Sequence, residues 1–189
     1  EEEIDRSADL VTLADRPELT SEDIVARVKK AGIVGMGGAT FPTHVKLTPP
    51  PGSKADCVVI NGVECEPYLT GDHRLMLEKT DEVLVGISLI MKAVKVEKAY
   101  VGIENNKPDA IARMQEKASR YPGIEIVPLK VKYPQGGEKQ LIQAITGREV
   151  PPPPGLPIQV GVVVQNVGTA FAIYEAVMKN KPLVERMIT

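Results

Sequence analysis

Four glycines fall within seven residues in Gly32-Ile33-Val34-Gly35-Met36-Gly37-Gly38, and the run continues through Ala39-Thr40-Phe41-Pro42-Thr43-His44-Val45 to Lys46. A backbone so rich in glycine reaches positive φ easily and approaches a ligand closely, so successive N–H groups can converge on an anion. Pro42 sets the direction in which the chain leaves, and Lys46 returns one positive charge to the same spot. The chemistry implied is the cradling of a cofactor's anionic group. The run departs from both common phosphate loops. A dinucleotide fingerprint needs three spaced glycines after a strand, whereas Thr40 holds the third place and a helical pattern precedes the loop. A Walker loop needs Gly-Lys-Ser/Thr, which the run lacks.

Three other stretches carry residues of the same kind. In Asn61-Gly62-Val63-Glu64-Cys65-Glu66-Pro67-Tyr68, two carboxylates stand two apart just after an apolar run. Open α/β sheets place their ligands at such strand ends, although Asn-Gly is also a common turn and Glu-Pro a common loop opening. Tyr133-Pro134-Gln135-Gly136-Gly137-Glu138-Lys139-Gln140 puts two glycines before a helical pattern. That makes the helix start an anion site, with Glu138 as a ligand group or simply a partner of the helix dipole. The fourth stretch is Gln165-Asn166-Val167-Gly168-Thr169, again directly after an apolar run. His44 and His73 are the only histidines, and they form no Ser–His–Asp arrangement and no H-x-x-x-H pattern.

The elements needed to position these stretches are legible in the pattern. Thr20-Ser21-Glu22-Asp23 has the form of a capping box, and Ile24, Val28 and Ala31 follow at helical spacing, so a helix delivers the chain into the glycine loop. Cys57–Ile60, 99–103, 124–127 and 160–164 are expected as core strands. Helices are expected from Asp72, over 81–94 with a broad apolar face, from Pro108, after Gly137 and after Thr169. Thr48-Pro49-Pro50-Pro51-Gly52 is a rigid loop that cannot join a sheet, and the proline-rich segment 151–157 is an irregular loop within the same domain. The alternation of strand and helix predicts an α/β fold with a mainly parallel sheet in layered packing.

Composition narrows the function classes. The chain of 189 residues suits one domain; it is 43% apolar and 25% charged, with a net charge of -2, so a nucleic-acid surface is not expected. Cys57 and Cys65 lie eight apart and match no zinc or iron–sulfur spacing, which points to a reducing compartment and to no cluster on this chain. No signal peptide or long apolar run is present, so direct membrane insertion is not expected. Residues 1–19 read as a loosely attached lead-in from a preceding segment, 20–180 as the functional domain, and 181–189 as the start of a link to a further part. The four stretches converge on one crevice that suits a phosphorylated, planar, hydrogen-bonding ligand better than a metal or an acyl substrate.

Taken in order, Gly-Met-Gly-Gly-Ala-Thr-Phe-Pro-Thr-His-Val-Lys, Asn-Gly-Val-Glu-Cys-Glu-Pro-Tyr, Tyr-Pro-Gln-Gly-Gly-Glu-Lys-Gln and Gln-Asn-Val-Gly-Thr resemble the flavin domain of the RnfC family. Those proteins are the NADH-side subunits of ion-translocating ferredoxin:NAD oxidoreductases and are similar to the flavin-carrying subunit of respiratory complex I. The resemblance spans about residues 20 to 178. It implies a Rossmann-like domain that binds FMN and receives NADH as substrate, with the hydride chemistry supplied by the flavin. By matching motif, Gly35, Gly37 and Gly38 would hug the flavin and nucleotide, and Lys46 would serve the FMN phosphate or ribityl side. Asn61, Val63 and Glu64 would line the flavin, Gly136 would pack against it, and Gln165, Asn166 and Thr169 would close the phosphate end. Phe41, Glu66 and Glu138 would face NADH.

The sequence departs from the complex I pattern at Met36, Val63 and Gly137, where that relative usually carries arginine, aspartate and glutamate. These differences favour the RnfC family. The resemblance further implies iron–sulfur clusters in parts beyond these residues, the other Rnf subunits as partners with ferredoxin reached indirectly, and a peripheral place on the cytoplasmic face of the inner or plasma membrane. The corrin-reducing subunit of diol-utilising microcompartments and an RnfC-like protein of proline reduction keep the same flavin domain and stay open as alternatives. So does a docking module that has lost its cofactor.

Overall fold

The computed structural model describes residues 10–185. The first nine residues of the expected lead-in and the last four of the expected link lie outside that range.

Four parallel strands form one sheet in the order β3-β2-β1-β4, with β1 at Cys57–Gly62, β2 at Ala99–Glu104, β3 at Ile124–Leu129 and β4 at Val162–Asn166. The β-branched, nearly unbroken apolar runs of β1 and β4 fit strands covered on both faces, whereas edge strand β3 exposes Glu125 and Pro128. In register, Asn61 at the end of β1 stands beside Asn166 at the end of β4. Winding proceeds outward from β1 through β2 to β3 and then returns to the opposite side with β4. The β1/β4 boundary is therefore a topological switch point, where loops leave in opposite directions and open a crevice.

Helices α1 (Ser21–Lys30), α3 (Gly71–Glu78), α4 (Thr80–Val94), α5 (Pro108–Ala118) and α7 (Val167–Met178) share the larger core with Val58, Ile60, Val101, Ile103 and Val163. The other sheet face is covered by α6 (Glu138–Thr146), whose Leu141 and Ile142 pack on Cys57, Val59, Val162 and Val164. A short helix, α2, spans Thr43–Lys46. The capping box read at Thr20 is formed: Thr20 Oγ1 accepts from Asp23 N–H at 3.1 Å, and Asp23 Oδ2 accepts from Thr20 N–H at 3.0 Å. Inside the larger core α4 and α7 meet closely, since a Cβ on Gly86 would come within 2.0 Å of the Ala170 carbonyl oxygen. Only glycine fits there.

Three expectations change, the first being the last helix, which starts at Val167 under a cap from Asn166 rather than after Thr169. β4 begins at Val162 rather than Val160, because Pro157–Val160 form a 3-10 turn that Gly161 closes at φ 73°. The lead-in, as far as it is described, is packed rather than loose: Leu10, Val11 and Leu13 rest on the larger core and Leu19 is buried. Four apolar side chains in ten residues cover enough surface to hold the segment down.

Candidate functional site

The glycine loop is a closed structure. An antiparallel bridge joins Val34 to Pro42, Gly35 N–H donates to the Phe41 carbonyl at 2.9 Å, and Thr43 N–H donates to the Ile33 carbonyl at 3.1 Å. Met36 N–H, at the loop's inner turn, donates to Thr169 Oγ1 at 3.0 Å. Gly37 takes φ 73° and Thr40 φ 54°. The two amides consumed inside the protein are thus those of Gly35 and Met36. Among the described residues, the backbone amides from Gly37 to Phe41 donate to no protein group, so a run of donors at the bend is left for a ligand.

The loop opens on a cavity of about 580 Å³ at the switch point, within the size range of small-molecule sites. The edge of β4 forms its floor, from Val162 to Asn166. Gly136, Gly137 and Glu138 at the amino end of α6 form one wall, and Val45, Leu156, Pro157 and Ile158 form an apolar one. Pro49 and Pro50 close a further side, so both proline-rich loops serve the cavity. A largely apolar cavity with a few polar groups in its lining suits a planar ring carrying a polar tail.

Ten of the fourteen residues expected at the site line this cavity: Gly35, Gly37, Gly38, Phe41, Lys46, Asn61, Gly136, Glu138, Gln165 and Asn166. Phe41 is half exposed. Gln165 is buried and its Nε2 has no partner in the protein, an orphan donor at the end of β4. Lys46, expected at a phosphate or ribityl group, and Glu138, expected at NADH, meet each other: Nζ lies 2.7 Å from Glu138 Oε1 and 3.4 Å from the Val164 carbonyl. Both side chains are about a third exposed, which makes the pair weak and easily exchanged for a ligand.

The other four lie elsewhere, each for a physical reason. Glu64 accepts from Asp72 N–H at 2.7 Å and His73 N–H at 3.0 Å, so its carboxylate occupies the amino end of α3. Val63 is buried in the smaller core, with its carbonyl directed at Gly136. Thr169 is fully buried and acts on the loop from behind through Met36 N–H. Glu66 is exposed and does not line the cavity.

The two strand-end asparagines tie the loops together. Asn61 Nδ2 donates to the Gly136 carbonyl at 2.9 Å while its Oδ1 accepts from Val63 N–H at 3.0 Å. Asn166 caps α7 by accepting from Gly168 N–H at 2.7 Å, and its Nδ2 donates to Asn61 O at 3.3 Å and to Asp72 Oδ2 at 2.7 Å. Asp72 does not stand out in the sequence, where it is one more acid in the first turn of a helix. Burial pushes its pKa up to about 6, against the hydrogen bond from Asn166, and the neighbouring Glu64 carboxylate adds to the rise. A second buried group gives no sequence signal either: Lys107 lies 3.8 Å from Glu104 Oε2, and its Nζ donates to the Glu64 carbonyl at 3.3 Å. No spacing rule links these positions, which the fold brings together.

Comparison with known proteins follows this geometry. The family model described as the Nuo51 FMN-binding domain matches residues 28–175, which include the whole loop, β1, α6 and the start of α7. The chain is 56% identical over 172 residues to the C subunit of the proton-translocating ferredoxin:NAD(+) oxidoreductase complex of Clostridium ljungdahlii, covering 91% of this chain and 37% of that one. It is 53% identical over 172 residues to the Na(+)-translocating counterpart of Acetobacterium woodii, covering 91% and 39%. Among solved structures, an NAD+-reducing [NiFe]-hydrogenase in the air-oxidized state superposes with a TM-score of 0.71 at 27% identity, over 84% of this chain and 30% of that one. The chain thus spans well under half the length of these relatives.

Proposed function

Since the chain belongs to the Nuo51 FMN-binding domain family, we propose that the switch-point cavity binds FMN non-covalently, receives NADH beside it, and serves as the flavin unit of a ferredoxin:NAD oxidoreductase subunit. One observation carries the reading: a run of backbone amides from Gly37 on that donate to no protein group lies on a loop lining a cavity whose lining is otherwise largely apolar. An anion fits that run. Lys46 is close enough to add charge to it, the unpartnered Gln165 Nε2 is ready to donate to a ligand acceptor, and Gly38 leaves open space in which a Cβ would touch nothing within 4 Å. The residues present suit the group.

A flavin held there would supply hydride exchange with a nicotinamide and one-electron transfer onward. The chain's own part is to hold and to exclude. Its apolar walls keep water from the ring, the glycine loop fixes the tail, and Phe41 offers a half-exposed ring for stacking a second one. Glu138 is placed to accept from ribose hydroxyls or a carboxamide once Lys46 turns to the flavin side. No side chain need act as acid or base.

Residues 20–180 would then be the FMN/NADH unit, with the link after 180 leading toward a part that carries iron–sulfur clusters. The names of the relatives support membership in a multi-subunit ion-translocating complex, with ferredoxin reached through other subunits. No helix among the described residues is long and apolar enough to cross a membrane, which accords with a peripheral place on the cytoplasmic face. Calorimetric titration of this chain with FMN and with FAD tests the core of the proposal. FMN should bind the more tightly, because the cradle offers one clustered anion site and no extended pyrophosphate groove. Equal or tighter FAD binding counts against the cradle, and no binding of either flavin returns the domain to a docking role.

A further inference from the structure

The segment that joins α6 to β4 carries five prolines in seven residues, from Pro151 to Pro157. A proline has no N–H to donate, so such a segment must be held through its carbonyls or its side chains. Gly155, Leu156 and Ile158 bring the amide hydrogens of 151–158, and two of them are used locally: Gly155 N–H donates to the Pro152 carbonyl at 2.7 Å and Leu156 N–H to Gln159 Oε1 at 2.8 Å. Among the described residues, one hydrogen bond joins 151–159 to a residue outside 151–161. It comes from Lys139, whose Nζ donates to the Pro151 carbonyl at 2.7 Å. The flanks are fixed independently: Arg148 Nη1 donates to the Val160 carbonyl at 2.6 Å, and Val150, Ile158 and Val160 pack on the two cores.

We propose that Lys139 is a positioning residue, whose ammonium draws the proline segment against α6 and thereby sets the width of the slot that receives the flavin ring. The proposal rests on the FMN reading of the cavity. Lys139 itself does not line that cavity, but Glu138 beside it in the first turn of α6 does, as do Leu156, Pro157 and Ile158 of the segment. One helix therefore forms one wall directly and holds a second through a single side chain.

The contact reaches the wall by a short route. A Cβ on Gly155 would collide with the Pro151 carbonyl oxygen, so the turn at 151–155 folds Gly155 onto the very acceptor that Lys139 holds. Leu156 follows directly and is exposed. Proline rings restrict φ at most positions between, so a movement at Pro151 is carried to Leu156 rather than absorbed. Without the donor, the Pro151 carbonyl takes water as its partner and the segment can bow away from α6 between Val150 and Ile158, which stay packed. Water then reaches the ring.

Lys139→Met keeps the aliphatic stem and removes the donor, and Lys139→Arg puts a donor back. The test titrates this chain and both variants with FMN and with lumiflavin, which is the isoalloxazine ring without the ribityl tail. Lys139→Met should bind both flavins about threefold to fivefold more weakly, the scale of one exposed charged contact, and Lys139→Arg should recover most of that loss. The visible absorbance band of bound FMN should lose its vibrational fine structure in Lys139→Met, the mark of a hydrated ring, and regain it in Lys139→Arg. A merely structural role would lower the melting temperature and leave the band as it is. Parental affinity for both flavins in Lys139→Met, a loss confined to FMN, an unchanged band, or no recovery with Lys139→Arg overturns the assignment. Where the parent binds neither flavin, the FMN reading fails, and hydrogen exchange in the ligand-free chain still decides the role of Lys139. The Gly155 and Leu156 amides should exchange faster in Lys139→Met than in the parent, and equal rates overturn the proposal.

Discussion

Two loops rich in glycine meet at the cavity, and their glycines do different work. In the loop at 34–42 they make shape and room: Gly37 takes φ 73°, Gly38 borders open space, and the amides from Gly37 to Phe41 donate to no protein group. In the loop before α6 they allow close packing. A Cβ on Gly136 would meet the Val63 carbonyl at 3.2 Å and Cys65 Sγ at 3.4 Å, and one on Gly137 would meet Gln140 Oε1 at 2.4 Å. The amide of Gly137 is also spent, donating to the Pro134 carbonyl at 2.9 Å. A pair of adjacent glycines is therefore not in itself a ligand signal. What separates the two loops is the room around their glycines, open at Gly38 and filled at Gly136 and Gly137.

The largest effect expected from breaking this contrast is at Gly37. Gly37→Val should abolish FMN binding, measured by flavin fluorescence, and should cost roughly 1–2 kcal/mol of stability because a β-branched residue is forced into positive φ. Normal FMN affinity in that variant would reduce the loop to a plain turn. Next is the other loop, where Glu138→Gln should leave FMN affinity nearly unchanged while slowing reduction of the bound flavin by NADH, a transition-state loss of about 1–3 kcal/mol in stopped-flow bleaching. Loss of FMN with normal use of NADH would assign Glu138 to the flavin through its contact with Lys46. Thr169→Val keeps the side chain's shape and leaves Met36 N–H without an acceptor, so thermal unfolding should show a loss of about 1–2 kcal/mol and FMN should bind more weakly. If stability and affinity both stay at parental levels, the loop does not depend on α7. The smallest change in stability belongs to Gly38→Ala, which meets nothing within 4 Å. Its melting temperature should match the parent while FMN affinity falls by about 1 kcal/mol, the methyl taking space meant for the ligand. A lower melting temperature with unchanged affinity would reverse the contrast between the loops.

Local signals were enough to read the fold class and all four loops. The capping box at Thr20, Pro108 at the start of α5, and the near-continuous apolar runs of β1 and β4 are short-range patterns whose meaning depends on a few neighbouring residues. The glycine run was visible for the same reason, because the freedom to take positive φ belongs to the residue itself. Local signals also misled at Val160, where Pro157 and Gly161 turn an apolar segment into a 3-10 turn before the strand starts.

Partnership was decided by tertiary structure alone. Glu64 and Asp72 are eight apart and Asn166 and Asp72 ninety-four apart, yet α3 takes one acid as a cap on its amino end and carries the other as an acceptor for an asparagine. Lys46 and Glu138, ninety-two apart, form an ion pair only because β4 brings α2 and α6 to the two sides of one slot. The apolar wall at Leu156 and Ile158 comes from a segment that reads as an irregular loop. The physical reason is that backbone propensity acts over one or two turns of chain, whereas desolvation and hydrogen-bond satisfaction depend on what lies nearby in space. The sequence of this protein therefore determines that Asp72 begins a helix, and only the packing of that helix against the start of α7 raises its pKa and gives its carboxylate something to hold.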